Sequence, residues 1–430
     1  MESTSQSPPK TIVIVGGGIA GMEIATMIGR MQSPQLRACL IDKDVAHIWK
    51  PMLHTIAAGT REASQEQTVY AAHARHVGYD FQLGEMEGLD RQRKEIHLTP
   101  ITCPKGRPLV PGRIIRYDLL VLAVGNTANT FGTPGADKHC MMIDSRQQAN
   151  HFNQEVRTRI LESIGQNVDL HLTVVGGGAT GVELAAELIQ LTEFAGMYSA
   201  QDLLSKVHIT LVESNSRLLA AFPEKISSAT KARLESLGVT VLLQTRVRCV
   251  EADKITLADG AELPSSLTVW AAGVKAPVFL SDLDGLEINN KNQLLVSPTL
   301  QTLQDPSIYA VGDCANVIQT GTQSPLPPTA QIAHQQAKYF IQNLPSILNG
   351  DELHHFESRN NGLLVSLGNY GAFGKLGFFD ATFIKGKAAQ VGHAMLYRSH
   401  QSRLHGFLRG NMIWLVDKLN ARLRPRIKMD

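Results

Sequence analysis

Two short glycine-rich segments carry the residues whose types and spacing suggest chemistry. TIVIVGGGIAGMEIA (11–25) and TVVGGGATGVELAAEL (173–188) each contain a GxGxxG pattern between an apolar run and a helical pattern. The first glycine of such a pattern permits a tight turn, the second lets a pyrophosphate approach the backbone, and the third lets helix and strand pack closely. The pattern also fits a glycine-rich packing turn without a ligand. The six glycines are Gly16, Gly18, Gly21, Gly176, Gly178 and Gly181.

An acidic residue follows each segment at the end of the next predicted strand. Asp42 lies in CLIDK (39–43), and Glu213 lies in KVHITLVES (206–214). A carboxylate there accepts hydrogen bonds from ribose hydroxyls and repels a 2′-phosphate, which favours NAD over NADP. Arg217 lies close to the second acid, so this preference is not absolute. Two complete patterns predict transfer between two dinucleotides, a permanently held FAD and an exchanging NADH.

The elements around these segments predict an α/β fold with two Rossmann-like dinucleotide-binding domains. Buried parallel strands are predicted at LLVLAVGN (119–126) and SIYAVGDCA (307–315), and helices over about 20–31 and 179–194. This order predicts that one nucleotide domain is inserted into another. The expected domains are 1–130 with 295–345 for FAD, 131–294 for NADH, and 346–430 for a C-terminal region that includes antiparallel strands in LLVSLGNYGAFGKLG (363–377).

Composition and cysteine spacing exclude several classes of protein. The chain has 430 residues, 43% of them hydrophobic and 19% charged, which is enough to bury a sizeable core. Its five cysteines form no close pair, so neither a disulfide framework nor a zinc site is expected, and a reducing compartment fits best. The fifteen histidines show no ligand spacing, so no metal site is predicted. The first residues show no apolar signal segment, and no apolar run approaches the length of a membrane span.

The C-terminal segment 395–430 combines basic and apolar residues at helical spacing. It holds eight Lys or Arg and two Asp, a net charge of +6, whereas the whole chain carries only +2. Such a segment predicts a helix in the interface of an anionic membrane, with Trp414 at the headgroup level; a helix docked on the body or in a dimer contact is the alternative. The apolar residues of the expected face are Leu404, Phe407, Leu408, Met412, Leu415, Leu419 and Leu423, and the basic residues among them are Arg403, Arg409, Lys418 and Arg422.

The two glycine motifs, WAAGV (270–274), YAVGDCA (309–315), HIWKPMLH (47–54) and AQIAHQ (330–335) together resemble the type II NADH:quinone oxidoreductases. The resemblance extends from about Thr11 to the C-terminus. It implies a non-pumping respiratory flavoenzyme on the cytoplasmic face of the bacterial inner membrane. Such an enzyme oxidises NADH and passes two electrons through FAD to a membrane quinone, either ubiquinone or menaquinone.

The resemblance also implies roles for individual residues. The first glycine motif, Asp42, Lys50, Gly125, Asp313 and Ala330 would hold FAD, with Lys50 beside the isoalloxazine. The second motif, Glu213 and Gly273 would hold NADH. Glu183 matches an acid near flavin and nicotinamide, and it would deliver protons or position the nicotinamide.

The segment AQIAHQ matches the quinone site of the family. Ala330, Gln331, Ala333 and Gln335 carry the match, and the residues after PLPP (325–328) are expected to form a helix over 329–341. Gln331 would donate to a carbonyl of flavin or quinone. The same residues also fit a helix that merely packs on the sheet. Cys314 is a single thiol beside Asp313, and packing is the favoured interpretation of it.

Three functions remain open from the sequence. The favoured one is the membrane-bound quinone reductase. A soluble FAD-dependent NADH oxidase or ferredoxin reductase is the second, although neither accounts for AQIAHQ and the basic tail. A flavoprotein that senses NADH at a membrane without turnover is the third. No nucleic-acid partner is expected, and pairing into a homodimer is left open.

Overall fold

A computed structural model describes residues 8–62, 67–103, 105–197, 203–319, 321–322, 324–376 and 383–423. The β-strands are, in chain order, β1 (Lys10–Val15), β2 (Leu36–Asp42), β3 (Ala46–Ile48), β4 (Gln67–Val69), β5 (Asp80–Leu83), β6 (Met86–Asp90), β7 (Glu95–Leu98), β8 (Ile101–Thr102), β9 (Pro108–Val110), β10 (Arg113–Arg116), β11 (Leu119–Leu122), β12 (Thr127–Ala128), β13 (Cys140–Met141), β14 (Leu170–Val175), β15 (Val207–Val212), β16 (Val239–Leu242), β17 (Val247–Val250), β18 (Lys254–Leu257), β19 (Glu262–Pro264), β20 (Leu267–Trp270), β21 (Val274–Lys275), β22 (Leu294–Leu295), β23 (Ile308–Ala310), β24 (Ala315–Asn316), β25 (Gly362–Ser366), β26 (Ala372–Leu376) and β27 (Phe383–Lys385).

The α-helices alternate with many of these strands. They are α1 (Ile19–Met31), α2 (Leu53–Ala57), α3 (Tyr70–Val77), α4 (Ala136–His139), α5 (Arg146–Gln166), α6 (Ala179–Met197), α7 (Leu203–Lys206), α8 (Glu224–Ser236), α9 (Ala330–Asn349), α10 (Lys387–His405) and α11 (Phe407–Leu423). Single 3₁₀ turns are formed by Lys50–Met52, Val278–Asp282, Gly312–Cys314 and Gly368–Tyr370.

The chain divides into two compact units, each assembled from three segments. Unit 1 holds the described residues of Met1–Ile48, Gln67–Thr127 and Lys275–Arg359. Unit 2 holds those of Trp49–Glu66, Ala128–Val274 and Asn360–Asp430. The segments 49–66 and 275–294 therefore group differently from the boundaries that the sequence suggests. The assignment of one domain to FAD and another to NADH stays a prediction.

Unit 1 is organised around a five-stranded parallel sheet in the order β23-β11-β1-β2-β5. Its central strand β1 is a run of β-branched residues, and Ile12 to Val15 are buried because helices or loops cover both faces. Val15 pairs with Leu122 on one side and with Ile41 on the other. The chain leaves β1 at the glycine-rich turn, where the connections diverge to the two sides of the sheet, as in dinucleotide-binding folds. The antiparallel sheet β10-β7-β6 completes this arrangement.

Unit 2 repeats the same plan with a second five-stranded parallel sheet, β13-β20-β14-β15-β16. The central strand β14 ends at Val175, directly before the second glycine-rich turn. Val175, Val212 and Trp270 form part of one buried cluster with the antiparallel strands β17 and β18. A further antiparallel sheet, β25-β26-β27, lies within the C-terminal segment of unit 2, so the antiparallel strands expected from 363–377 are confirmed.

The C-terminal segment forms two helices, α10 and α11, which pack against each other and are separated by Gly406. Leu404, expected on the membrane-facing side, is buried, because this part of α10 packs into unit 2. Phe407, Leu408 and Met412 on α11 are exposed as expected. The basic residues at 424–428 lie outside the described part of the chain. Among the described residues, every helix is too short or too polar to cross a bilayer.

Candidate functional site

The first and third glycines of each motif are required by the backbone. Gly16 and Gly176 adopt left-handed φ angles of 101° and 114°, which disfavour any residue with a Cβ. A Cβ on Gly21 would collide with the carbonyl oxygen of Gly16, and a Cβ on Gly181 with that of Gly176. Each helix thus starts in close contact with the end of the preceding strand.

The middle glycines face open space instead. A Cβ on Gly18 would come no closer than 3.9 Å to the Ala123 carbonyl oxygen, and a Cβ on Gly178 would meet no atom within 4 Å. Both glycines lie at helix N-termini, where Met22 and Val182 donate the first helical bonds back to them. A turn that is tight on one side and open at the helix dipole on the other fits a pyrophosphate. The residues present therefore fit a dinucleotide in each unit.

The two acids hold the glycine turns by matching hydrogen bonds. The Gly17 N–H donates to Asp42 Oδ2 at 2.6 Å, and the Gly177 N–H donates to Glu213 Oε2 at 2.6 Å. The second oxygen of Asp42 accepts from the backbone N–H of Asp44 at 2.8 Å. Burial raises the pKa of Asp42, although the two N–H donors oppose this shift. The acids predicted to contact ribose thus also fix the shape of the turn.

Two residues that the sequence analysis did not single out complete the first turn. Tyr70 Oη donates to the Gly17 carbonyl oxygen at 2.7 Å, and His47 Nδ1 lies 2.8 Å from the same oxygen. The His47 contact requires that Nδ1 carries the proton, because a carbonyl oxygen can only accept. His47 belongs to the quoted HIWKPMLH segment, whereas nothing in the local sequence distinguishes Tyr70 as a partner of Gly17.

Asp313 and Gly125 lie at the carboxyl ends of strands in unit 1. The Asp313 carboxylate accepts a hydrogen bond from the Asn126 side-chain amide, and the Asp313 carbonyl oxygen accepts from Gln293 Nε2 at 2.9 Å. The buried Gln336 of α9 accepts from the Gly312 N–H at 2.6 Å. Gly125 has a left-handed φ of 69° and open space where a Cβ would stand. These bonds position Asp313 at the same sheet edge as the glycine turn.

The AQIAHQ segment begins α9 as expected, and the helix extends to Asn349. Thr329 caps the helix by accepting from the Ile332 N–H at 3.3 Å. Gln331 and Gln335 both donate to the carbonyl oxygen of Arg359, at 2.6 and 2.8 Å. Gln335 Oε1 also accepts from the Arg359 N–H at 2.7 Å. In this structure the two predicted quinone-site amides therefore hold the end of the 350–359 segment, while Ala330 lies in the first turn and Ala333 is buried.

His334 lies between these glutamines and contacts a buried acid. Its Nδ1 is 2.5 Å from Oε2 of Glu23, a side chain of α1 that is only 2% exposed. Helices α1 and α9 pack against each other along this pair. A buried carboxylate needs such partners because desolvation of the charge is costly. The structure thus gives His334 a packed position against the Glu23 carboxyl.

Glu183 lies in the first turns of α6 and is 6% exposed. Its Oε1 accepts from the Ser366 N–H at 2.9 Å, and its Oε2 lies 3.5 Å from His54 Nδ1, on a ring that is 3% exposed. Burial raises the pKa of Glu183 to about 8, with the buried Glu187 adding to this effect and the Ser366 N–H opposing it. A buried imidazole and carboxyl at this distance can exchange a proton near neutral pH.

The remaining predicted residues also lie in unit 2. Lys50 Nζ is 3.8 Å from Asp144 Oδ1, so the lysine predicted beside the flavin has a carboxylate neighbour in its own unit. Gly273 has a left-handed φ, and a Cβ there would collide with the Phe131 ring. Arg217 donates to the carbonyl oxygens of Phe222 and Ala220, each at 2.7 Å, so its guanidinium supports a loop in this structure.

Cys314 is fully buried beside Asp313, and burial raises the pKa of its thiol to about 11. Its Sγ donates weakly to the carbonyl oxygens of Leu122 and Val311, each at 3.3 Å. A thiol that stays protonated at neutral pH is a poor nucleophile. The packing interpretation of this cysteine is therefore supported.

Each glycine-rich turn with its acid is called a dinucleotide cradle below. The chain that carries the two cradles matches proteins of a known family. The pyridine nucleotide-disulphide oxidoreductase family matches residues 10–337. A type II NADH:quinone oxidoreductase of Haemophilus influenzae is 39% identical over 98% of this chain and 100% of its own length. The chain belongs to the type II NADH:quinone oxidoreductase family. A member from Staphylococcus aureus is 28% identical over 88% of this chain and 92% of its own length.

Solved structures share the fold of this family member. The structure of NDH2 from Plasmodium falciparum in complex with NADH superposes with a TM-score of 0.83 at 20% identity, covering 97% of this chain and all of the other. The sulfide:quinone oxidoreductase of Aquifex aeolicus superposes with a TM-score of 0.72 at 17% identity, covering 97% and 96%. At these identities the likeness shows the fold, which is the predicted α/β architecture with two Rossmann-like domains.

Proposed function

We propose that the protein oxidises NADH and reduces a membrane quinone through bound FAD, as an NADH:quinone oxidoreductase that pumps no protons. The observation that carries this proposal is the presence of two complete dinucleotide cradles, one in each unit, in a member of this family. FAD supplies a two-electron carrier between nicotinamide and quinone when it is bound. The chain's own residues bind the two dinucleotides, exclude water and handle protons.

Unit 1 is the FAD cradle in this proposal. The start of α1 at Gly18 would hold the pyrophosphate of FAD, while Gly16 and Gly21 keep the turn tight. Asp42 binds the adenine-side ribose and simultaneously fixes the turn through Gly17. Gly125, Asp313 and Ala330 line the same cofactor from the other strand ends and from α9 of unit 1.

Unit 2 is the NADH cradle in this proposal. The space beside Gly178 at the start of α6 would take the pyrophosphate, and Glu213 would bind the adenine-side ribose. Its carboxylate repels the 2′-phosphate of NADPH, and Arg217 does not compensate because its donors are bonded to loop carbonyls. Gly273 would border the nicotinamide side, and a Cβ at this position would collide with the Phe131 ring. NADH is therefore the preferred donor.

Quinone reduction consumes two protons, and buried groups are available to hold them. Glu183 and His54 form a buried pair in unit 2 that holds a proton at neutral pH. Gln331 and Gln335 start α9, where the helix N-terminus favours developing negative charge. In the proposal these amides exchange their bonds to Arg359 for bonds to a quinone carbonyl.

The exposed apolar face of α11 attaches the protein to the membrane that contains the quinone. Phe407 and Leu408 are 75% and 79% exposed, and the basic Arg409 follows them directly. Apolar burial and attraction to anionic headgroups act together at such a surface. The proposed location is the cytoplasmic face of the bacterial inner membrane.

The test compares two variants that remove the matching anchors of the glycine turns. Asp42→Ala should lower the FAD content of the purified protein at least about tenfold, because the turn at the FAD pyrophosphate loses its anchor. Glu213→Ala should leave the FAD content unchanged and raise KM for NADH at least about tenfold. Flavin absorbance and steady-state oxidation of NADH with a short-chain quinone measure the two effects.

The opposite pattern, with FAD lost in Glu213→Ala, would reverse the assignment of the cradles. NADH consumption by the wild-type protein with oxygen but not with quinone would replace the proposal with the NADH oxidase. Bleaching of the flavin by NADH without turnover would indicate the sensor. Glu213→Gln, which keeps an acceptor for Gly177, should change KM less than the alanine variant.

A further inference from the structure

Three side chains meet at the end of the unit 2 sheet that lies opposite the glycine turn. His171 and His208 occupy partner positions on the adjacent parallel strands β14 and β15. Asp169 directly precedes β14, two residues before His171, so it lies on the same face as that histidine. One ligand atom from each of the three residues lies within 4.8 Å of the other two.

The sequence analysis did not find this group because the residues have no metal-ligand spacing along the chain. Parallel pairing brings His171 beside His208 although 37 positions separate 171 from 208. The two imidazole rings stack at 4.7 Å with an interplanar angle of 19°. Asp169 Oδ2 lies 3.5 Å from His208 Nε2. Two imidazole nitrogens and one carboxylate oxygen thus converge at a solvent-accessible position.

We propose that Asp169, His171 and His208 form a binding site for a borderline divalent cation such as Zn²⁺. Two imidazoles and one carboxylate are a common donor set for zinc, and water completes the coordination. Zinc bonds of about 2.0–2.2 Å require each ligand atom to move inward by roughly 1 Å, which side-chain rotation of partly exposed residues allows.

The charges around the site favour a cation. The carboxylate of Asp169 supplies a negative charge at the same position. Lys206, which directly precedes β15, has its ammonium bonded to the backbone and side-chain oxygens of Asn167.

The site is separate from the nucleotide cradle. Gly176 follows His171 by five positions along the extended strand, which corresponds to roughly 16 Å. A cation here would link the starts of β14 and β15 and stabilise the sheet that carries the NADH cradle. Zinc binding should therefore raise the melting temperature, since a ligand that binds only the folded state stabilises it.

The test uses the full-length, FAD-loaded protein without an affinity tag, titrated with Zn²⁺ by calorimetry. We expect one Zn²⁺ bound to the wild-type protein with a zinc-dependent rise in melting temperature. His208→Asn and His171→Asn should each weaken this binding at least about tenfold, and Asp169→Asn should weaken it less. His151→Asn, a change of an exposed histidine on α5 of the same unit, should leave it unchanged.

Equal zinc affinity in the wild-type protein and the His171→Asn/His208→Asn double variant would overturn the proposal, as would the absence of zinc binding to the wild-type protein. FAD content and KM for NADH should be unchanged in the variants, which shows that they are folded. Co²⁺ provides a second readout, since its visible absorption bands should appear in the wild-type protein and disappear in the double variant.

Discussion

At the scale of single residues, the acid after each glycine motif has two tasks. Asp42 and Glu213 each accept a bond from the backbone of the adjacent turn, and the proposed function adds a contact with ribose. A substitution there would change the shape of the phosphate site as well as remove a ribose contact. Loss of affinity in such variants therefore reports both effects together.

Glu183 makes a pH-dependent prediction. Its pKa rises from 4.5 to about 8 on folding, so the folded state binds the proton more tightly than the unfolded state. The stability that this residue contributes is present below about pH 4.5 and is lost as pH rises through about 8, at up to about 1.4 kcal/mol per unit. Glutamine does not titrate. The melting temperature of Glu183→Gln minus that of the wild-type protein should therefore rise as the pH increases from 5 to 9.

Thermal unfolding followed by circular dichroism at several pH values measures this difference. The control is Glu162→Gln on α5, where the carboxylate is 45% exposed and paired with Arg159. The melting temperature of this control minus that of the wild-type protein should not rise with pH. A difference for Glu183→Gln that is constant from pH 5 to pH 9 would mean that this carboxyl is ionised throughout.

The glycine turns and the strand-end acids could be located from the sequence because these features are local, and their roles in binding stay predictions. A left-handed turn, a helix N-terminus and a strand-end carboxylate are all encoded within about 30 residues. The partners Tyr70, His54 and Ser366 could not be predicted, since each approaches its site from a distant part of the chain. Only the pairing of strands and the packing of helices brings them there.

At the scale of elements, the contact between α1 and α9 links the first glycine motif to the AQIAHQ segment within unit 1. Glu23 of α1 is buried and His334 of α9 is partly exposed, and their side chains meet where the two helices pack. The orientation of α9, and therefore of Gln331 and Gln335, depends on this pair. A substitution that breaks it should affect stability first.

His334→Ala should destabilise the protein by about 3 kcal/mol, because it leaves the Glu23 carboxylate buried without its imidazole partner. The temperature of flavin release, followed by fluorescence, should fall by about 5 °C. Glu23→Gln/His334→Ala should recover part of this loss, since the remaining amide is neutral. His76→Ala, which removes an exposed histidine of α3, should have no effect.

A double variant as unstable as His334→Ala alone would show that the cost comes from lost packing rather than from the charge.

The order of strands and helices was predictable from the alternation of apolar runs and helical periodicity, and the helices over 20–31 and 179–194 are confirmed within a few residues. The helix predicted over 329–341 is too short, because α9 continues to Asn349 with Pro345 inside it.

At the scale of the whole molecule, the C-terminal helices differ in their burial. Tyr397, His400 and Leu404 of α10 are buried in unit 2, with Tyr397 and His400 stacked on Trp49. Helix α11 exposes its apolar side chains. A deletion of 395–430 would therefore remove part of the core, and substitutions on α11 are the cleaner test of membrane binding.

Leu408→Glu/Leu415→Glu should reduce flotation with vesicles that contain anionic lipid at least about tenfold, since two exposed apolar side chains no longer enter the interface. NADH oxidation with a water-soluble acceptor should be unchanged. The matched control, Leu161→Glu on α5, alters a side chain that is 55% exposed and should float like the wild-type protein. Undiminished flotation of the double variant would assign membrane binding to another surface.

The interleaved order of the segments has a consequence for biosynthesis. Strand β11 of unit 1 pairs with β23, which the ribosome translates only after all five strands of the unit 2 parallel sheet have emerged. The parallel sheet of unit 2 can thus form while the parallel sheet of unit 1 still lacks its edge strand β23. We expect the amino-terminal half to wait, partly assembled and in need of chaperone protection, until translation passes residue 310.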